Sequence, residues 1–183
     1  MEFNKTITLK DGRTCLLRNG VADDGQAVLD VFNLTHEETD YLLTYSDENS
    51  FTVSQEAEFL QRKTDSADII EIIAVVDGVV AGTAGIDALG MRDKIKHRAV
   101  FGIAIAKAFW GLGIGRYLME SCIECARTAG YLQLELEVVA ENERAVEMYK
   151  KAGFVEYGRN PKAFRLRTGE YQELVDMRLE LQP

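Results

Sequence analysis

VFGIAIAKAFWGLGIGRYLMESCIECARTAGYLQLELEVVAENERAVEMYKKAGF, Val100 to Phe154, is the stretch around which the chain is organised. It opens with an apolar run, Val100 to Ala106, that reads as a buried strand. A spacer, Lys107 to Trp110, leads into Gly111-Leu112-Gly113-Ile114-Gly115-Arg116. A helical pattern follows, then a second apolar strand, then a second helix that opens at Asn142 and carries Tyr149. A glycine loop at a helix start presents free backbone N–H groups to an anion, and the helix dipole adds to the attraction. Without Cβ atoms the loop can approach a phosphate closely.

Three readings of the loop compete. A Rossmann dinucleotide site needs G-x-G-x-x-G directly after its strand. Here the glycines fall as G-x-G-x-G and a spacer intervenes, although Glu135 and Glu137 stand roughly where a ribose-binding acid belongs. A plain glycine turn before a helix is the second reading. The third takes in the half that follows. W-G-L-G-I-G-R resembles the acyl-CoA loop of the GNAT superfamily of N-acetyltransferases, whose pattern is Arg or Gln, two residues, Gly, one residue, Gly or Ala. Asn142, Ala145, Tyr149, Gly153 and Phe154 match that superfamily's second motif, N-x-x-A-x-x-x-Y-x-x-x-G-F. Both motifs occur in order and at the family's spacing. The resemblance covers about residues 70 to 180 well and the N-terminal third loosely. Trp110 departs from the pattern, because it stands where the family usually has Arg or Gln. That leaves the pyrophosphate to backbone amides, with Arg116 or Lys107 as sources of positive charge.

The resemblance implies an acetyl transfer from acetyl-CoA to a primary amine of a small molecule or protein, by direct attack. It implies that Gly111, Leu112, Gly113, Ile114, Gly115 and Arg116 hold the pyrophosphate. Ile103, Ala104 and Ile105 would meet the pantetheine chain like a neighbouring strand, with one amide facing the thioester oxygen. Asn142, a helix N-cap by position, would also touch the CoA arm. Tyr149 would protonate the leaving thiolate. It falls seven residues after Asn142, two helical turns along, so both point to one side. A phenol of pKa near 10 must give its proton to a thiolate whose thiol has pKa near 8.5. The site must therefore lower the phenol pKa or use water. Packing as a core tyrosine is the alternative for Tyr149.

A base is needed because a lysine-like amine, pKa near 10.4, is neutral in only about one molecule in 2,500 at pH 7. Glu137, five residues before Asn142, resembles the base position of the ribosomal-protein alanine N-acetyltransferases, which share the L-E-V then Asn spacing. A solvated strand-end glutamate is the alternative, and Glu135 is the fallback base. Glu37, Glu38, Asp40, Asp47 and Glu48 could recruit a cationic substrate or form a solvated loop. A non-catalytic acyl-CoA-binding sensor or partner-binding module is the competing function, and Trp110 is what keeps it open.

With 183 residues and 46% hydrophobic content the chain fits one globular domain, residues 1–183. A net charge of −9 disfavours nucleic acid and suits an amine acceptor. The N-terminus MEFNKTITLK has no apolar h-region, and no run approaches the roughly 20 apolar residues of a membrane span. A cytoplasmic protein is expected, and its oligomeric state stays open, a homodimer included. Cys15, Cys122 and Cys125 are too few and too oddly counted for a disulfide framework. The C-x-x-C of Cys122 and Cys125 lies on the apolar side of a helical pattern and reads as core. His36 and His97 have no ligand-like neighbours, so no metal site is expected.

Outside the central stretch, residues 4 to 19 read as a hairpin around Asp11-Gly12. A helix is expected from Asp24 to about Leu34, with Ala27, Val28, Val31 and Leu34 on one face. A second is expected to about Lys63, capped by Ser54. Ile69 to Val76 and Val79 to Ile86 form a second hairpin around Asp77-Gly78. Phe154 to Tyr157 and Asp176 to Leu181 read as strands. The basic stretch between them, Gly158 to Gly169, is expected as a solvated loop or as a lip over the substrate or the CoA 3′-phosphate. The fold class is α/β (α+β): a GNAT-like mixed, mostly antiparallel sheet flanked by helices on both faces.

Overall fold

The structure is a computed structural model that describes residues 1–181. The strands are β1 (Asn4–Thr8), β2 (Thr14–Asn19), β3 (Ile70–Val76), β4 (Val79–Ala88), β5 (Arg98–Ile105), β6 (Gln133–Val139), β7 (Val155–Arg165) and β8 (Tyr171–Glu180). The α-helices are α1 (Gly25–Glu38), α2 (Val53–Asp65), α3 (Ile114–Thr128) and α4 (Glu143–Lys151). One sheet runs in the order β1-β2-β3-β4-β5-β6-β8-β7. Every neighbouring pair is antiparallel except β5 with β6. A doubly wound Rossmann sheet, which is mostly parallel, is thereby excluded.

The strand chemistry explains the layering. In β3, Ile70, Ile72, Ala74 and Val76 point into the core beneath α3, while Ile73 points the other way, against Val28 of α1 and Leu60 of α2. A strand covered on both faces reads as the continuous apolar run IEIIAVV. The tight β3–β4 turn has Asp77 at φ 52° and Gly78 at φ 81°, two successive left-handed residues that match the twist of the strands they join. Cys15, Cys122 and Cys125 are free and buried.

Three local expectations need correction. α1 runs a turn past Leu34, and its inner face is Val28, Val31 and Thr35, with Leu34 exposed. The cap of α2 is Thr52, not Ser54: its side chain accepts from the amide of Gln55, whose own side chain reaches back to Thr52. Most of the basic stretch 158–169 is strand β7, paired along β8 through two bulges. Arg159 is paired there with Glu156 and Glu173.

β5 and β6 pair only from Arg98 to Val100 against Gln133 to Glu135. Past that point no strand pairing joins them among the described residues, and a wedge opens in the middle of the sheet. Parallel strands need a crossover, and α3 supplies it, so the helix start necessarily sits at the open end of the wedge.

Candidate active site

A cleft of about 1040 Å³ occupies the wedge. It is lined from both faces of the sheet, by Met148 and Tyr149 of α4 on one side and by Glu137 and Thr35 on the other. Ile103 to Ile105, Gly111, Gly113 to Arg116, Glu137, Asn142 and Tyr149 all line it; Leu112 does not, and its carbonyl instead accepts from the amide of Lys10 at 3.2 Å, while Lys107 also lies outside the lining.

The β5 edge can be read from its ladder. The Leu89 amide donates to the Arg98 carbonyl, and the Ala106 amide to the Ala81 carbonyl. With the register that pairs Gly82 with Ile105 and Ala88 with Ala99, these two bonds fix the alternation. Val100, Gly102, Ala104 and Ala106 bond toward β4, and Ile103 and Ile105 turn their N–H and C=O groups to the wedge. Of the three β5 residues expected to meet a pantetheine chain, Ile103 and Ile105 therefore have main-chain groups available. Those of Ala104 belong to the β4 ladder.

Gly111 and Gly113 have φ of 88° and 100°, and Gly113 is the N-cap of α3. Side chains rarely adopt that conformation. The amides of Gly111, Leu112 and Gly113 make no backbone hydrogen bond among the described residues. The first amides of α3 are free by helix geometry. A Cβ on Gly115 would stand 3.3 Å from Ile105 Cδ1 and 3.4 Å from Met148 Sδ, so this glycine keeps the helix start close to both walls. Trp110 supports the loop. Its indole N–H donates to the Ile105 carbonyl at 2.6 Å, and Lys107 Nζ lies 5.8 Å from its ring centroid.

Arg116 is turned along the helix surface, over Tyr117 at 4.5 Å and 3.9 Å from Glu120. A second cation comes from the first turn of α4: Arg144 Nη2 lies 3.8 Å from where a Gly111 Cβ would be. Arg144 occupies an unspecified position of the second motif, between Asn142 and Ala145. Only the folding of α4 against the loop brings it in.

Asn142 caps α4, its Oδ1 accepting from the Ala145 amide at 3.3 Å. Tyr149 is only 5% exposed and packs edge-on against Phe101, centroids 6.2 Å apart. It is a core tyrosine whose residue also lines the cleft. Burial pushes its phenol pKa well up, opposite to the lowering that an acid role in solution terms calls for.

On β6, Leu134, Leu136 and Val138 face the core under α3, so Glu135 and Glu137 face the opposite side. They differ in their partners. Glu135 is buried and held by Arg98, through Nε to Oε1 and through Nη2 to Oε2 at 2.6 Å, and the Tyr157 hydroxyl donates to it at 3.5 Å. Glu137 is exposed to the cleft and has no hydrogen bond or ion pair with its side chain among the described residues.

The acidic stretch before α2 is largely engaged in structure. Glu38 accepts the Lys107 amide at 2.7 Å, Glu48 accepts the Tyr45 amide at 2.8 Å, and Asp47 pairs with Arg167. Glu38 thus ties the end of α1 to the start of the cofactor loop.

Free amides, a Cβ-free cradle and an unpaired strand edge fit a ligand with a phosphate group and an extended amide-bearing arm. Comparison with known proteins agrees. The family model described as the acetyltransferase (GNAT) family matches residues 30–154. The L-amino acid N-acetyltransferase AaaT of Escherichia coli K12 is 35% identical over 118 residues, which are 64% of this chain and 72% of that protein. The ribosomal protein bS18-alanine N-acetyltransferase of Salmonella typhimurium is 37% identical over 62 residues, 34% of this chain and 42% of that protein. The chain thus spans less than half of this second relative's length. Among solved structures, an acetyltransferase of the GNAT family from Streptococcus pneumoniae superposes with a TM-score of 0.86 at 28% identity, covering 91% of this chain and 99% of that one. The Salmonella typhimurium protein yncA, solved with acetyl-CoA, shares the fold at a TM-score of 0.80 and 18% identity, covering 91% and 94%. Matched across the segment that holds both the glycine loop and the wedge, the chain belongs to the GNAT family of acetyltransferases, with acetyl-CoA as its acetyl donor.

Proposed function

We propose that this N-acetyltransferase acts on a primary amine with Glu137 as general base and Tyr149 as general acid. One observation carries the reading. Of the two β6 carboxylates that face the cleft, Arg98 neutralises Glu135 and leaves Glu137 as the unpaired one.

When bound, acetyl-CoA supplies an acetyl group activated as a thioester. The amides of Gly111 to Arg116 hold its phosphates, with Arg144 adding charge, and Asn142 and the Ile103 edge hold its arm. The Ile103 N–H is the donor available to an oxygen that gains negative charge, a role worth about 10²–10³ in rate. Glu137 takes a proton from the acceptor nitrogen as the C–N bond forms. Tyr149 keeps its proton at Oη at every physiological pH and gives it to the departing sulfur. The raised phenol pKa does not forbid this step. The burial that penalises a phenolate also penalises a thiolate formed beside it, so the two pKa values rise together.

The acceptor is a small molecule or a protein amine, with neither nucleic acid nor membrane as partner. No helix among the described residues is long and apolar enough to cross a membrane. A cytoplasmic location is part of the proposal, supported by three unpaired cysteines. The test is thiol release from acetyl-CoA across a panel of primary amines, run on the wild type and on Glu137→Gln. Transfer to at least one amine class, lost in the variant, supports the assignment. Binding of acetyl-CoA with no transfer to any amine favours a sensor.

A further inference from the structure

The cleft has two rims on its acceptor side that are far apart in sequence. One is the α1–α2 connection, where Tyr41, Leu42 and Leu43 line the cleft; the other is β7, where Phe164 lines it. Just outside these rims the two segments are fastened together. Arg167 Nη1 and Nη2 donate to Asp47 Oδ2 and Oδ1 at 2.9 and 2.6 Å. The Arg167 amide donates to the Tyr45 hydroxyl at 3.1 Å. The guanidinium also lies over the Tyr45 ring, 4.0 Å from its centroid. A bidentate fork, a stacked ring and a main-chain bond converge on one arginine, a geometry that lysine cannot reproduce. The tip of the hairpin is itself ordered, with Leu166 and Glu170 bonded and Gly169 at φ 95°.

From this juxtaposition we infer that Arg167, Asp47 and Tyr45 form a clasp over the acceptor end of the cleft that restricts the acceptor to small amines carrying an apolar group. The inference rests on the amine-acetyltransferase reading above and narrows it. The apolar preference follows from Leu42, Leu43, Leu89 and Phe164 on the cleft wall. The size limit follows from the bridge. A peptide continuing from its reacting amine extends about 3.3–3.6 Å per residue and must leave between the two rims that the clasp joins. A small amine has no such need. The clasp should also weaken in salt, because both partners are more than half exposed at the side chain.

The experiment compares wild type with Arg167→Ala, Asp47→Asn and Arg167→Lys. Acetyl transfer is measured with phenethylamine and the other small amines of the panel, and with decapeptides that have a free N-terminal amine. Amide hydrogen exchange of residues 41–49 and 166–170 is followed in parallel, since it reads the clasp without turnover. Wild type should prefer the small amines by at least about tenfold in kcat/KM. Arg167→Ala and Asp47→Asn should raise peptide turnover about tenfold, with kcat for small amines within about twofold of wild type. Exchange should speed up in both segments, and Arg167→Lys should fall between. A peptide-to-amine ratio that neither substitution moves, or a wild type that takes peptides as readily as small amines, overturns the inference. So does unchanged exchange in both variants. If no amine is acetylated while exchange responds to both substitutions, the clasp stands and the acetyltransferase reading of the acceptor is what fails.

Discussion

The indole N–H of Trp110 donates to the carbonyl oxygen of Ile105 at 2.6 Å, joining the glycine loop to the last residue of β5. This chain uses a large ring to brace the loop against the strand edge. The bond also takes the outermost carbonyl that faces the wedge. Trp110→Phe keeps an aromatic ring and removes the donor, so the loop should loosen by about the 0.5–1.5 kcal/mol of one hydrogen bond. Affinity for acetyl-CoA should fall severalfold. Trp110 is the only tryptophan in the chain and is 41% exposed, so its fluorescence should respond to titration with acetyl-CoA. An emission spectrum that saturating acetyl-CoA leaves unchanged would count against the loop as cofactor site.

The glycine cradle makes a graded prediction. Gly113→Asp forces a side chain into a left-handed conformation, at a cost of about 1–2 kcal/mol, and sets a carboxylate at the helix start. Gly115→Asp has no such backbone strain, but its Cβ meets Ile105 and Met148. Both proteins should lose the rise in melting temperature that acetyl-CoA gives the wild type. Gly113→Asp should also melt lower without ligand. NAD should stabilise neither the variants nor the wild type, and stabilisation of the wild type by NAD would contradict the assignment.

Tyr149→Phe removes one hydroxyl from a packed ring. Turnover should fall about 10²-fold with acetyl-CoA affinity nearly unchanged, the pattern of an interaction made in the transition state. Because burial raises the phenol pKa, Tyr149 should impose no descending limb on kcat up to about pH 10. Full activity in a folded variant would leave the tyrosine as packing alone.

Glu137→Gln and Glu135→Gln should behave differently despite lying two residues apart. The first removes a free carboxylate at the cleft. Its rate should drop by about 10²–10⁴ at low pH and recover as pH nears the amine pKa, where the acceptor deprotonates unaided. The second leaves Arg98 without its partner, so its main effect should be on thermal stability. Equal pH–rate profiles for the two variants would remove the distinction.

Burial pushes the thiols of Cys15 and Cys125 up to about 11 and raises that of Cys122 well above its ordinary value. An aromatic disulfide reagent at pH 8 should therefore leave all three unreacted in the folded protein and titrate all three in denaturant. The raised pKa values also set the sign of the alkaline behaviour. Their contribution to stability is complete below the unfolded thiol pKa of about 8.5 and is lost as pH climbs through 11. Chemical denaturation should show stability declining from about pH 8.5 upward, and a Cys15→Ala, Cys125→Ala protein should show a shallower decline.

What the sequence determined by itself is local. Gly111 to Arg116 carry their conformation in their residue types. The seven-residue step from Asn142 to Tyr149 fixes their relation because a single helix spans it. The nearly continuous apolar run of β3 announces a strand covered on both faces, and Asp77-Gly78 announces its turn. Only the tertiary structure gives Glu135 and Glu137 different partners, although both stand on one face by period: Arg98, on another strand, pairs with Glu135. Tertiary pairing likewise withdrew the main-chain groups of Ala104 from the cleft edge, since which amides point outward depends on the register with β4. It brought in Arg144 and closed Arg167 onto Asp47 across 120 positions. It also made strand of most of the basic stretch 158–169, because β8 offers a partner edge that no local propensity reveals. Torsional preference and periodicity act over a few residues. Charge pairing, ladder register and closure depend on chain segments that meet only after folding.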